Sequence, residues 1–217
     1  MGIFQEVLGY QFFVNALIAA VLSSIICGII GSYIVAKRMV FLSGGITHAS
    51  FGGIGIAYYI GINPILGAAV FAVLSAIGIE YSSKRTAIRQ DSAIGISWSF
   101  GMAIGIIFIF MSPGYTPNLM SFLFGSILTI STIDLYFMAS VALILILFFS
   151  LFYYAILFIS FDEQYARTHK IPVSLFNYVL ISLVALSIVM NIRTVGVILV
   201  ISLLTIPQSI ANLFKNQ

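Results

Sequence analysis

Charged residues are scarce in this sequence. Only 7% of its 217 residues are charged, whereas an ordinary soluble domain carries about 25%. Hydrophobic residues make up 61% of the chain, and its mean hydropathy is +1.17. The composition therefore predicts an integral membrane protein. Because the net charge is only +3, we expect the basic residues to mark membrane topology and expect no nucleic-acid partner.

Cysteine is nearly absent, and the common catalytic motifs are missing. The one cysteine, Cys27, lies in an apolar run, which excludes an internal disulfide and suggests a small packing residue. The sequence has no Cys-x-x-Cys, no His-Glu-x-x-His and no Gly-Lys dipeptide with which a phosphate-binding loop would end. We therefore expect no enzyme activity in this chain. If ATP drives a process here, another chain must supply the ATPase.

Long apolar runs take the place of these motifs. Runs such as VALILILFF do not alternate with polar residues, so they predict membrane-spanning helices and not barrel strands. The expected fold is all-α, a polytopic transmembrane bundle of about seven spans that forms one domain over residues 1–217. Residues 119–131 are too short to span and predict a re-entrant or interfacial helix. The spans are residues 10–36, a segment that contains 41–55 and ends at the turn GINP, 64–80, 93–111, 134–159, 173–192 and 194–214.

The basic residues orient this bundle. With these spans, nearly all of them fall in loops on one side of the membrane, which should be the cytoplasmic side. Arg193 is the exception on the outer side. The loop residues are Lys37, Arg38, Lys84, Arg85, Arg89, Arg167 and Lys170.

His48 is the only titratable acid-base group well inside a predicted span. At helical spacing, Gly44 and Gly52 lie one turn to either side, and with Ser43 we expect them to flank a pathway. Small side chains leave the imidazole accessible, and a neutral imidazole can bind zinc or manganese. The alternative is a histidine that only hydrogen-bonds a facing helix. The adjacent ridge, expected to allow close helix packing, is Gly45, Ala49, Gly53 and Ala57.

The polar interval 160–172 predicts a short charged helix at the cytoplasmic end. Ser160 is the expected N-cap, and Asp162 and Glu163 lie in the first turn. Arg167 and Lys170 follow before a proline. These four charged residues are candidates for docking a soluble partner, and a solvated connector is the alternative.

Several of these segments together resemble the membrane permease subunits of metal-ion ABC transporters, which import zinc, manganese or iron(II). The family pattern R-M-x-x-x-G-D-x-x-x-H-A is similar to RMVFLSGGITHA, with Gly44 where the family has Asp. The stretches DSAIGI, FDEQYARTHKIP and VGVILVISLLTIP resemble three further family patterns. Family members usually continue for another hydrophobic segment, so a truncated permease domain is an alternative to a complete one ending at Gln217.

The resemblance implies a multi-pass protein of the bacterial plasma membrane. It would be the permease subunit of an ATP-driven importer of zinc or manganese, with no covalently bound cofactor and with ATP on a partner subunit. Its partners would be lipid, cytoplasmic ATP-binding subunits, an extracytoplasmic metal-binding protein, and a second copy or a paralogous permease. The ion would pass near His48, and the ATP-binding subunits would dock on Asp162 to Lys170.

Two alternatives remain open from the sequence. One is a related permease for a metal chelate such as cobalamin or a siderophore. The other is a membrane scaffold that transports nothing.

Overall fold

The computed structural model describes residues 9–113 and 124–215. Within these ranges the chain is helical and has no strand. It contains α1 Gln11–Ala36, α2 Val40–Ile60, α3 Pro64–Arg85, α4 Gln90–Met111, a 3-10 turn Ile127–Thr129, α5 Thr132–Leu151, α6 Tyr153–Phe161, α7 Glu163–Thr168, α8 Val173–Val195 and α9 Val197–Lys215.

Seven of the described helices are long and apolar enough to cross a membrane, which confirms the predicted number of spans. They are α1, α2, α3, α4, α5, α8 and α9. The fifth span differs from its predicted extent, because α5 ends at Leu151 and α6 begins two residues later. Phe152, between them, leaves helical geometry with φ −107° and ψ 22°.

Local sequence explains where several spans begin and end. Gly61 closes α2 in the left-handed conformation at φ +80°, which costs glycine little. The Asn63 side chain then accepts a hydrogen bond from the Ile65 amide, and Pro64 occupies the first turn of α3. A second glycine with positive φ, Gly196 at +84°, separates α8 from α9. The chain can therefore reverse direction within a few residues at both points.

The stretch 124–131 stays at one end of the bundle. The backbone of Gly125, at φ +62°, lies against Gly196, where a Cβ would meet the Gly196 nitrogen at 2.4 Å. The Asn15 side chain of α1 donates to the Ile130 carbonyl at 3.1 Å. We call this the outer end, and the end that holds Lys37 and α7 the inner end. Among residues 124–131 the structure has the 3-10 turn Ile127–Thr129, and residues 119–123 of the predicted segment lie outside the described ranges, so the re-entrant or interfacial helix stays a prediction.

Helix α2 occupies the centre of the packing between α3 and α4. A Cβ added to Gly53 would lie 2.0 Å from the Gly67 carbonyl oxygen of α3, and one added to Gly101 of α4 would lie 2.4 Å from the Ala49 carbonyl. Only small residues permit backbones to approach so closely. The predicted small-residue ridge of α2 therefore serves helix packing.

Candidate functional site

His48 lies on α2 and faces α4, where its ring stacks on the indole of Trp98. The ring centroids are 4.2 Å apart and the planes differ by 5°. This contact depends on the close approach of the two helices, since Gly45 packs against Ile94 one turn from His48. Such a stacked aromatic pair fixes the plane of the imidazole.

The two imidazole nitrogens are in different surroundings. Nδ1 of His48 is buried and has no hydrogen-bond partner among the residues that the structure describes. The side chain as a whole is only half-buried. Nε2 is therefore the nitrogen that a ligand from outside the chain could reach. A neutral imidazole can coordinate a metal ion through this atom.

The three residues predicted to flank a pathway are in unequal positions. Gly44 is half-buried, and a Cβ there would meet only the Ile201 methyl at 3.8 Å, an ordinary contact. Gly52 packs against the Phe71 ring of α3, which a Cβ would approach to 2.7 Å. Ser43 is buried, and its hydroxyl donates to the Val40 carbonyl at 2.7 Å. Of the three, Gly44 has space beside it, and a pathway role for any of them stays a prediction.

Side chains that could complete a metal site are not gathered around His48. Across residues 9–113 and 124–215 no group of three or more His, Cys, Asp or Glu side chains could hold a metal ion together. A single imidazole binds a divalent ion weakly, so an ion at His48 would need further ligands.

The short helix predicted in the interval 160–172 is present as α7, but its N-cap is different from the prediction. Asp162 caps the helix and accepts from the amides of Gln164 at 2.8 Å and Tyr165 at 3.0 Å. The prediction of Ser160 as the cap is wrong, because α6 continues to Phe161 and the Ser160 hydroxyl donates back to the Ile156 carbonyl at 2.7 Å. The hydroxyl is thus used inside the preceding helix.

Glu163 points from α7 toward the spans. Its Oε1 accepts from Lys37 Nζ at 3.2 Å and from Asn177 Nδ2 at 3.0 Å, and its Oε2 lies 3.9 Å from Lys84 Nζ. Burial raises the pKa of this carboxyl, but the Asn177 hydrogen bond and the charges of Lys84 and Lys37 outweigh burial and lower the pKa below its ordinary value. Glu163 is therefore ionised at neutral pH and sits within an ionic cluster.

Arg167 and Lys170 are more exposed to solvent than Glu163 is. Both side chains are exposed, and Lys170 adopts φ +58° at the end of the α7 turn. Tyr165 is 48% exposed beside them. A soluble partner could reach this surface, whereas the Glu163 carboxylate bonds toward the spans and its side chain is 35% exposed. The docking role of the four predicted residues remains a prediction.

The structure also contains an ion pair that sequence reasoning missed. Arg193 at the end of α8 pairs with Asp134 in the first turn of α5, at the outer end. Asp134 completes a capping box with Ser131, whose hydroxyl donates to the carboxylate at 2.6 Å. A signal exists in the sequence, because Arg193 is the one basic residue expected on the outer side and the fifth predicted span begins with Asp134 on that same side. No pattern in the sequence indicates that Trp98 would stack on His48.

Comparison with known proteins gives matches along nearly the whole chain. The profile of the ABC 3 transport family matches residues 9–217. The manganese transport system membrane protein MntC of Halalkalibacterium halodurans is 36% identical over 214 residues, which cover 99% of this chain and 73% of that protein. An uncharacterised membrane protein of Synechocystis is 44% identical over 206 residues, which cover 95% of this chain and 73% of that protein.

A solved structure gives a similar match. PsaBC from Streptococcus pneumoniae, in complex with a Fab, superposes with a TM-score of 0.82 at 33% identity. The match covers 97% of this chain and 76% of that chain.

Proposed function

Because the chain belongs to the ABC 3 transport family, we propose that it is the membrane permease subunit of an importer for divalent metal ions, with manganese as the first candidate substrate. Relatives named for manganese transport support this choice, at 36% identity in Halalkalibacterium halodurans and 33% in Streptococcus gordonii. Zinc is the second candidate. The protein is a multi-pass protein of the bacterial plasma membrane, with seven spans in its described residues.

His48 is proposed to contact the ion on its way through the membrane. The observation that supports this role is the setting of its ring, which stacks on Trp98 with Nδ1 buried, while the side chain as a whole is half-buried and leaves only Nε2 for a ligand from outside. A lone imidazole holds an ion weakly, which suits transport because a bound ion must also leave. Water or the same face of a second permease chain, either a copy or a paralogue, would supply the remaining ligands. The ion is the substrate here and not a resident cofactor.

The energy for transport is proposed to come from partner subunits. The sequence has no phosphate-binding loop of its own, so ATP would be bound by cytoplasmic subunits that dock around α7. An extracytoplasmic metal-binding protein would deliver the ion at the outer end. The permease would then change shape around the pathway and perform no covalent chemistry.

The test is manganese uptake by cells that carry a His48→Ala variant. We expect uptake to fall by about tenfold or more, as expected when a metal-contacting group is removed, while the amount of protein in the membrane stays normal. Ser140→Ala on α5 is the matched control, because Ser140 is exposed and its hydroxyl bonds only within its own helix. Unchanged uptake in His48→Ala would remove His48 from the pathway.

The same cells separate the alternatives. Accumulation of cobalamin or a ferric siderophore without manganese or zinc would favour a chelate permease, and no accumulation of any of them would favour a scaffold. Either result would overturn the proposal of a metal-ion permease.

A further inference from the structure

One side chain connects α7 to three spans at the inner end. Glu163 accepts from Lys37, the residue that ends α1, and from Asn177 in the second turn of α8. Its second oxygen faces Lys84 near the end of α3. Lys37 Nζ also donates to the Ile159 carbonyl of α6 at 2.7 Å. Glu163 thus links α7 to α1, α3 and α8 by polar contacts, beside an apolar cluster in which Ala166 packs with Ile159 and Val173.

The two faces of α7 differ in what they contact. Glu163 and the fully buried Ala166 face the bundle, whereas Gln164, Arg167 and Thr168 are exposed. A six-residue helix has little stability of its own, so its orientation depends on such contacts. A force applied to the exposed face by a docked subunit would reach the spans through the inward face.

We propose that Glu163 is a positioning residue that transmits movement of α7 to α1, α3 and α8, and that it is not a contact for the docked subunit. This inference rests on the proposed function, since it assumes that a cytoplasmic subunit docks at α7. Of the four predicted docking residues, it assigns Arg167 and Lys170 to an outward group and Glu163 to an inward position, while Asp162 caps α7.

The cluster has the chemistry to exist in more than one arrangement. Lys84 lies 2.7 Å from Glu80, one turn away on α3, and 3.9 Å from Glu163, so it can move between two carboxylates without losing a partner. A cavity of about 240 Å³ adjoins the cluster and is lined by Tyr33, Lys37, Glu80, Lys84, Glu163 and Asn177 among others. This space allows the side chains to exchange partners with water present. The lysines and carboxylates of this cluster can therefore stay paired while α7 moves.

The experiment uses the full chain reconstituted in liposomes with its ATP-binding subunits and binding protein. It measures co-purification of the ATP-binding subunits, ATP hydrolysis, and Mn²⁺ uptake per ATP. We expect Glu163→Gln to keep the bound subunits and ATP hydrolysis, and to lower uptake per ATP by about fivefold or more, the range of a typical coupling energy. Arg167→Ala should instead release the subunits.

Two further variants keep the test decisive. Asp91→Asn removes an exposed carboxylate at the same end of the bundle and should leave every readout unchanged. Asn177→Ala removes the α8 contact while all charges remain, and it should also lower uptake per ATP. It provides the test if Glu163→Gln is poorly folded. Release of the subunits by Glu163→Gln, or normal uptake per ATP in both Glu163→Gln and Asn177→Ala, would overturn the inference. Absence of ATP-driven uptake in the unmodified complex would instead contradict the proposed function.

Discussion

Helix α2 meets α3 and α4 through glycine and alanine backbone, whereas α1 meets α8 and α9 through polar side chains as well. On the first side, Gly55 lies so close to Gly105 that a Cβ on either residue would collide with the facing backbone. On the second side, the Ser23 hydroxyl bonds Asn191 of α8, and the Gln208 amide of α9 donates to the Cys27 carbonyl at 3.1 Å. Both kinds of contact join helices inside the membrane.

The two kinds of contact differ in how they respond to movement. A glycine contact between backbones has one close arrangement, and any sliding brings larger neighbours into collision. Polar side chains can change rotamers and exchange partners at small cost, provided that each keeps a hydrogen bond. We therefore expect α2, α3 and α4 to move as one unit, and rearrangement to occur among α1, α8, α9 and the inner cluster.

The largest effect is expected when one methyl group is added to the backbone contact between α2 and α4. In Gly101→Ala the new Cβ would lie 2.4 Å from the Ala49 carbonyl oxygen, so α2 and α4 must separate. We expect a loss of about 1–3 kcal/mol in the free energy of unfolding, the usual cost of overpacking. Thermal unfolding of the purified protein in detergent measures it.

The control for this variant lies on the same helix. Gly95→Ala adds the same methyl group to α4 where nothing lies within 4 Å, and it should unfold at the same temperature or slightly higher because alanine favours the helix. Equal melting temperatures for Gly101→Ala and Gly95→Ala would mean that the glycine contact is looser than described.

A further polar contact, between α5 and α8, can be tested at the outer end. Asp134→Ala removes both the partner of Arg193 and the acidic half of the capping box, and Arg193 is left 40% exposed at the bundle end. We expect a loss of about 1–3 kcal/mol in unfolding free energy, since water partly compensates the arginine. Melting temperatures in detergent provide the measurement.

A double-mutant cycle then isolates the pair from the cap. If the ion pair stabilises the fold, adding Arg193→Leu to Asp134→Ala should cost less than Arg193→Leu alone costs. Strictly additive effects would show that the two side chains do not stabilise one another.

Much of this fold was predictable from the sequence because it follows from local pattern. The apolar runs gave seven spans, and small residues at every fourth position gave the ridge from Gly45 to Ala57 along α2. The placement of Lys37 and Lys84 at one end followed from the charge distribution. These features depend on residues near one another in the chain, which periodicity and topology rules describe.

The remaining features depend on residues far apart in the sequence. Trp98 is 50 positions from His48, and nothing in the spacing of α4 indicates that its indole would cover the imidazole. The sequence predicts Glu163 as a candidate for docking a soluble partner, and no local pattern indicates that its carboxylate bonds to the spans. Its partner Lys37 is 126 positions away. Such pairings follow from the arrangement of the helices, which a single sequence considered alone does not specify.

A smaller effect is expected for Trp98 of α4, whose indole stacks on the His48 ring of α2. Trp98→Ala should free the His48 ring and raise the Mn²⁺ concentration needed for half-maximal uptake by about threefold to tenfold, the equivalent of losing an aromatic stack. Trp98→Phe keeps an aromatic face and should restore most of the wild-type value. Uptake measured over a range of Mn²⁺ concentrations separates this change from a loss of maximal rate. Equal half-maximal concentrations for wild type and Trp98→Ala would show that stacking does not position His48.

The smallest effect concerns the charge of Glu163 at the inner end. Its pKa is lower in the folded protein than the ordinary value of 4.5, so the unfolded chain binds the proton more tightly and the carboxylate stabilises the folded state. This contribution is complete at pH values above the ordinary pKa and is lost as the pH falls through the lowered one. The groups that face Glu163 are Lys37, Lys84 and Asn177, with Glu80 behind Lys84.

We therefore expect the difference in melting temperature between wild type and Glu163→Gln to be constant from neutral pH down to about pH 5, and to shrink below that as the carboxylate is protonated. Melting curves in detergent at several pH values, with Asp91→Asn as the exposed control, measure the difference. A difference that already declines between pH 7 and pH 5 would contradict the lowered pKa. Because the lysines and Asn177 hold Glu163 in its ionised form, the contact between α7 and the spans should persist at every pH at which a bacterial cytoplasm operates.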